Sequence, residues 1–266
     1  MRSTAGRLLT ILAALSLCWQ SATADETGQQ WIDLTHDLSD AAVFWPTAEP
    51  FRLTVDAEGR TELGYYYSAY SFCTAEHGGT HIDAPVHFAE GRQSVDQIEL
   101  WRLIGNAAVV DVSAQAAKNH DYQVSVTDLQ RWEQAHGELQ PGTIVLLRTG
   151  FAKHWPNAKD YLGTDLRGAA GAQALHFPGL HPDTARWLVS QRQIASVGID
   201  TASIDHGQSR RFEAHVVLMQ ANIPAFENVA NLDALPATGA FVVALPTKIK
   251  GGSGGPLRIV ARLPSH

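Results

Sequence analysis

Residues 76–88 read Glu-His-Gly-Gly-Thr-His-Ile-Asp-Ala-Pro-Val-His-Phe, and they constrain the local backbone more than any other stretch of the chain. Each of the two adjacent glycines weakens a helical turn by about 1 kcal/mol relative to alanine. Pro85 removes a backbone donor from any helix or central strand that would run through it. A His-Glu-x-x-His metal helix is excluded as well, since Gly78 stands where that motif needs its glutamate. An extended or looped backbone is left. On an extended segment His81 and Asp83, two residues apart, share a face. The Gly78-Gly79 pair lets the chain fold back so that His77 joins them. Two imidazole nitrogens and one carboxylate oxygen suit Zn²⁺, with Mn²⁺ or Fe²⁺ as alternatives, and leave positions open for water and substrate. His87, beyond the Pro85 turn, is either a fourth ligand or a base beside that water. A lone histidine would more simply be a satisfied core residue; three with an aspartate around a Gly-Gly turn make a candidate metal site.

The rest of the chain narrows the setting. Its 266 residues, 45% hydrophobic and 18% charged, suit one domain with a sizeable core. An excess of 27 acidic over 20 basic residues, with no basic block, excludes nucleic acid as an expected partner. Two cysteines among 266 residues exclude a disulfide scaffold and a Cys-rich zinc module. Arg2 and Arg7, the apolar run Leu8–Trp19 and the small residues Ser21-Ala22-Thr23-Ala24 read as an export signal over residues 1–24. The apolar run is too short to span a bilayer as a helix, and no later segment resembles a membrane span. The expectation is an exported protein, periplasmic or secreted, whose residues 25–266 form the functional domain. Cys18 hints at lipidation, but Leu17 before it fits that cleavage poorly; without the signal, Cys73 stands alone and is expected as a packed strand residue.

Val-, Ile- and Leu-rich runs predict strands at 107–112, 143–149, 194–200, 240–245 and 257–263. A capping box at Thr127-Asp128-Leu129-Gln130 predicts a helix to about His136, stopped by Gly137. Pro182 opens a second helix with Ala185, Leu188 and Val189 along one face. This mixture is an α/β domain without repeats. Residues 152–181 are punctuated by Gly and Pro and read as a long functional loop or lid. The Gly251-Gly252-Ser253-Gly254-Gly255-Pro256 run lacks a phosphate-loop ending and precedes a strand. It reads as a flexible turn between strands, or else as bare backbone approaching a site.

The run from His77 to His87 resembles the signature His-x-Gly-Thr-His-x-Asp-x-Pro-x-His of the cyclase family of metal-dependent hydrolases. His77, Gly79, Thr80, His81, Asp83, Pro85 and His87 meet every fixed position. The likeness extends from Asp33-Leu34-Thr35 and Trp45-Pro46 to Leu245-Pro246-Thr247-Lys248-Ile249. The resemblance implies a single domain of the swivelling β/β/α type, a mixed sheet curled into a barrel-like core with flanking helices, assembled as a homodimer or homotetramer. It also implies one or two divalent ions, Zn²⁺ or Mn²⁺. His77, His81 and Asp83 would hold the first, and Asp83, His215 and Glu227 the second, with His87 as general acid/base. The implied reaction is hydrolysis of a small-molecule amide C–N bond, with N-formylkynurenine, an N-formyl arylamine, as leading substrate. Isatin-like cyclic amides, lactones and esters are the alternatives. An exported metal- or ligand-binding protein without turnover is the reading from another class, which the poised His87 disfavours.

Among the remaining candidates, Asp200, Asp205 and His206 follow a predicted strand and either line a pocket, hydrogen-bond behind it or sit in a solvated turn. Trp45, Tyr65, Tyr66 and Tyr67 are candidate platforms for an aromatic substrate, with Trp45 and Tyr66 foremost, or else aromatics of the core or of an oligomer interface.

Overall fold

The computed structural model describes residues 23–24 and 29–264. Most of the expected export signal therefore lies outside the described residues; Thr23–Ala24 form a short strand. In chain order the strands are β1 (Thr23–Ala24), β2 (Gln30–Asp33), β3 (Arg52–Arg60), β4 (Tyr66–Cys73), β5 (His81–Asp83), β6 (Ile104–Asp111), β7 (Gln123–Val124), β8 (Ile144–Arg148), β9 (Gly179–Leu180), β10 (Ser196–Ile199), β11 (Ala225–Glu227), β12 (Phe241–Pro246) and β13 (Gly254–Arg262). The helices are α1 (Ser113–Ala116), α2 (Val126–His136), α3 (Ala158–Leu162), α4 (Gly168–Gln173), α5 (Pro182–Trp187) and α6 (Glu213–Gln220).

Hydrogen bonding runs in the order β13-β12-β6-β8-β10-β11-β5 and returns to β13, closing a mixed barrel of seven strands. The four strands β6, β8, β10 and β11 are parallel. The closure is made by β13, whose first residues pair with β5 while its last pair with β2. Alternate residues explain why β6 and β8 read as unbroken apolar runs. Val109, Ile144, Leu146, Phe226, Ile82, Val242 and Ile259 fill the barrel. Their neighbours Ala108, Val110, Val145, Leu147, Val197 and Ile199 face outward onto Leu129 of α2, Ala185 of α5 and Leu218 of α6. Strands buried on both faces cannot alternate polar with apolar residues.

Several sequence expectations shift. The cap of α2 is Ser125, two residues earlier than predicted, because Asp128 closes the capping box from the third helical position. Residues 152–181 are not one long irregular loop: they contain α3, α4 and β9, and their Tyr161, Leu175 and Phe177 are buried with Val43 and Phe151 in a core cluster of their own. Cys73 lies on a strand as expected but is exposed, not packed. It ends the hairpin β3–β4, a separate two-stranded ribbon that leaves Leu53, Val55, Tyr70 and Phe72 exposed. Among the described residues no helix is long and apolar enough to cross a membrane.

Candidate active site

The three-residue strand β5 lies between β11 and β13, antiparallel to both. Its register sets Ile82 opposite Phe226, both inside the barrel, and His81 opposite Glu227. With a side-chain period of two, burying Ile82 turns His81, Asp83 and Glu227 together onto the outer face. Gly79, at φ 61°, makes the turn that brings His77 back over Asp83. The 3₁₀ turn Pro85–His87 lifts His87 onto the same side, and α6 delivers His215 from across the chain.

Asp83 is the hub. Its Oδ1 lies 2.6 Å from His77 Nδ1 and 3.2 Å from His81 Nε2, and its Oδ2 lies 3.0 Å from His215 Nε2. Glu227 reaches His81 Nε2 at 3.4 Å and His215 Nε2 at 3.1 Å. The sequence-predicted ligands His77, His81, Asp83, His215 and Glu227 thus gather around Asp83. Among the described residues, the donor triads that fall within 4.8 Å are His81–Asp83–Glu227 and His77–Asp83–His87. This grouping differs from the implied one, for it sets Glu227 beside His81 and draws His87 within ligand reach.

The outer nitrogens of His81 and His215 decide their tautomers. His81 Nδ1 is 2.9 Å from the Gly79 carbonyl, which can only accept, so that nitrogen carries the hydrogen. His215 Nδ1 donates likewise to Asp205 Oδ2 at 2.6 Å. Asp205 is itself held by the backbone N–H groups of Ala214 and His215. Both rings therefore turn Nε2 toward the carboxylates, as metal-ligating histidines do when an outer partner fixes the other nitrogen. His81 Nε2 is buried without a hydrogen-bond partner of normal geometry. Nitrogen donors facing two buried carboxylates call for a cation, and the set fits a divalent ion.

In the metal-free chain, protons supply that charge. Burial opposes protonation of His81, but the Asp83 and Glu227 carboxylates, 3.2 and 3.4 Å from its Nε2, outweigh it and raise the pKa to about 10. Burial likewise opposes the charge on His215, yet Asp205, Asp83 and Glu227 hold its pKa well above the usual value. Asp83 is driven up by burial but held well below the ordinary range by His77, His215 and His81. His87 behaves oppositely: burial dominates and lowers its pKa to about 4, leaving it neutral near pH 7. Its ring stacks on His77, with centroids 3.8 Å apart.

An aromatic wall borders the cluster. Phe88 lies 4.4 Å from the His215 ring, Phe212 5.3 Å from Phe88, and Trp45 6.3 Å from Phe212, all by ring centroids. Trp45 is thus brought to the edge of the site. Tyr66 is not: it sits on the hairpin strand β4, outside the barrel sheet, and is 59% exposed. Phe88 and Phe212 were missed in the sequence. Phe88 adjoins the motif, and Phe212 holds a positive φ of 49°, which no residue type advertises. Asp200 is buried and accepts from Thr149 and Gly150, outside the donor cluster, whereas Asp205 is the hydrogen-bonding partner behind His215.

The Cyclase family model matches residues 32–206. The chain belongs to the cyclase family. Isatin hydrolase of Roseibium aggregatum is 34% identical over 197 residues, 71% of this chain and 72% of that protein. Kynurenine formamidase of Bacillus cereus is 27% identical over 240 residues, 88% of this chain and 97% of that protein. The structure of isatin hydrolase A from Labrenzia aggregata bound to benzyl benzoate superposes with a TM-score of 0.80 at 32% identity, covering 89% of this chain and 94% of that one. This cyclase-family chain is a hydrolase, and its barrel matches the expected fold.

Proposed function

We propose that the protein hydrolyses the amide bond of an N-acylated aromatic amine, with a cyclic anilide such as isatin first and an N-formyl arylamine such as N-formylkynurenine second. Both are amides of an aniline nitrogen, so one site chemistry serves both. Similarity to isatin hydrolases favours the cyclic amide; the nearly full-length match to kynurenine formamidases keeps the formamide in view. The observation that carries the reading is the gathering of His77, His81, His215 and Glu227 around Asp83, beside a neutral His87 and an aromatic wall.

A divalent cation, Zn²⁺ or Mn²⁺ and one or two per chain, would be held by those five ligands and would supply an acidified water and a polarised carbonyl. Following the family resemblance, His77, His81 and Asp83 would hold one ion and Asp83, His215 and Glu227 a second, while the tightest donor triads set Glu227 beside His81 and His87 beside His77. Neutral His87 accepts the proton released as water attacks, then donates it to the departing nitrogen, which is a poor leaving group as an anion. Phe88, Phe212 and Trp45 offer faces for the aryl ring and keep water from one side. The export signal and a homodimer or homotetramer belong to the same proposal. Exposed Leu53, Val55, Tyr70 and Phe72 on the hairpin support the assembly, because an isolated two-stranded ribbon is marginal in water.

The test is metal content of the purified protein, coupled to turnover of isatin and N-formylkynurenine with and without chelator. Bound metal with chelator-sensitive cleavage of either is expected. Absence of metal after incubation with Zn²⁺ and Mn²⁺ would sink the reading. Light scattering and N-terminal sequencing of the exported form check assembly and signal cleavage.

A further inference from the structure

The glycine-rich run 251–256 is neither a free turn nor a phosphate loop. Gly254 and Gly255 pair with Asp83 and Ile82, and the Ser253 carbonyl accepts from the N–H of Ala84. This seats Ser253 directly behind the metal-binding strand, between two residues of the signature segment. Its Oγ lies 2.9 Å from His77 Nε2 and 2.6 Å from Glu76 Oε2, and its backbone N–H donates to the same Glu76 oxygen at 3.0 Å.

The direction of this chain of hydrogen bonds is forced. An ionised carboxylate only accepts, so the Ser253 hydroxyl hydrogen points at Glu76. The Ser253 oxygen then has only lone pairs to offer His77, whose Nε2 must carry the hydrogen. What remains on His77 is Nδ1, facing Asp83 Oδ1 at 2.6 Å. The glycines on either side are required by the fit. A Cβ on Gly252 would stand 2.7 Å from Glu76 Oε1. One on Gly254 would stand 2.4 Å from the Ile82 carbonyl and 2.6 Å from His77 Cε1.

We propose that Glu76 and Ser253 are positioning residues that fix the tautomer and ring orientation of His77, presenting its Nδ1 to the cation. The inference rests on His77 being a metal ligand. Outer partners of this kind raise ligand basicity, and their loss typically costs about 10- to 100-fold in metal affinity.

The experiment titrates the metal-free full-length protein with Zn²⁺ or Co²⁺ against a chromophoric chelator, alongside its thermal melting without metal. Ser253→Ala should raise the metal Kd about 10- to 100-fold and shift the Co²⁺ absorption bands, with the metal-free melting temperature little changed. Ser253→Thr, which restores the hydroxyl, should recover affinity to within a few-fold of wild type. Glu76→Gln, which keeps shape while losing the charge, should weaken binding about tenfold and serves if Ser253→Ala fails to fold. His77→Ala separates the two claims. Weakened binding in His77→Ala with unchanged binding in Ser253→Ala and Glu76→Gln overturns the positioning role alone. Unchanged binding in His77→Ala overturns the ligand reading beneath it. A Thr variant as weak as Ala would also overturn the hydroxyl's role.

Discussion

Loading the metal-free protein with a divalent ion should release protons, and the geometry sets how many. His81 Nε2 faces Asp83 and Glu227 at 3.2 and 3.4 Å and titrates at about 10 in the metal-free chain. At pH 7 the nitrogen proposed to bind the ion therefore carries a proton. Its removal lowers apparent affinity by about three powers of ten, or ~4 kcal/mol. Affinity should rise about tenfold per pH unit from pH 7.5 to 9, and stop rising once pH passes about 10. His215, held well above its usual value, should release a second proton when Asp83, His215 and Glu227 take an ion. His87, neutral already, should release none. The sign for stability follows from the same groups. His81 with a raised pKa stabilises the metal-free fold fully below its unfolded value of 6.5, and that contribution is lost as pH climbs toward 10. Asp83 and Glu227, both lowered, contribute above their unfolded values and lose it as pH falls. Chelation should thus depress the melting temperature more at pH 9 than at pH 6.5. Calorimetry at pH 7.5 in buffers of different ionisation enthalpy counts the protons directly, and His81→Ala should remove one of them with most of the metal binding. Binding with no proton release and no pH dependence would refute the reasoning.

His87→Ala should retain most of the metal while losing about 10²–10⁴ in rate; substantial metal loss, read by elemental analysis, would instead make His87 a ligand, as its proximity to His77 and Asp83 permits. Asp205→Asn should leave the fold intact but loosen His215, weakening metal binding about 10- to 100-fold in chelator competition. Phe226→Ala should cost about 3–5 kcal/mol in denaturant unfolding, since the ring is fully buried in the barrel against Ile82; a loss below 1 kcal/mol would mean that the site's register does not depend on it.

What could be read in the sequence follows from how local its cause is. Strands β6 and β8 announce themselves because two-sided burial makes their residues uniformly apolar, and the start of α2 was misplaced only because Asp128 does the work usually given to Glu or Gln. The hairpin β3–β4 was missed although β4 carries Tyr66, Tyr67, Tyr70 and Phe72, since its exposed faces lack the burial that a periodic pattern reports. In the site, His77, His81 and Asp83 were legible from spacing because one turn and one strand join them. His215 and Glu227 were legible only through resemblance, because α6 and β11 meet β5 through the fold and not through the chain. Glu76 and Ser253, 177 positions apart, left no pattern at all. The glycines flanking Ser253 were visible, but a glycine run does not say what its backbone approaches.

The same constraint that closes the barrel also arms the site. In a strand of three residues, a slip of one position would bury His81 and Asp83 among Val242, Ile259 and Phe226 and expose Ile82. Burying two ionisable groups without partners costs several kcal/mol each, so the slipped register is excluded by the core alone. Ile82 therefore orients His81 and Asp83 by burial, in addition to the ion pairs they make with each other. It holds the two donors on one face beside Glu227, while β13, pairing on the other edge, brings Ser253 to His77. The polar outer face is assembled by apolar burial on the inner one, so the proposed metal ligands need not find each other during folding.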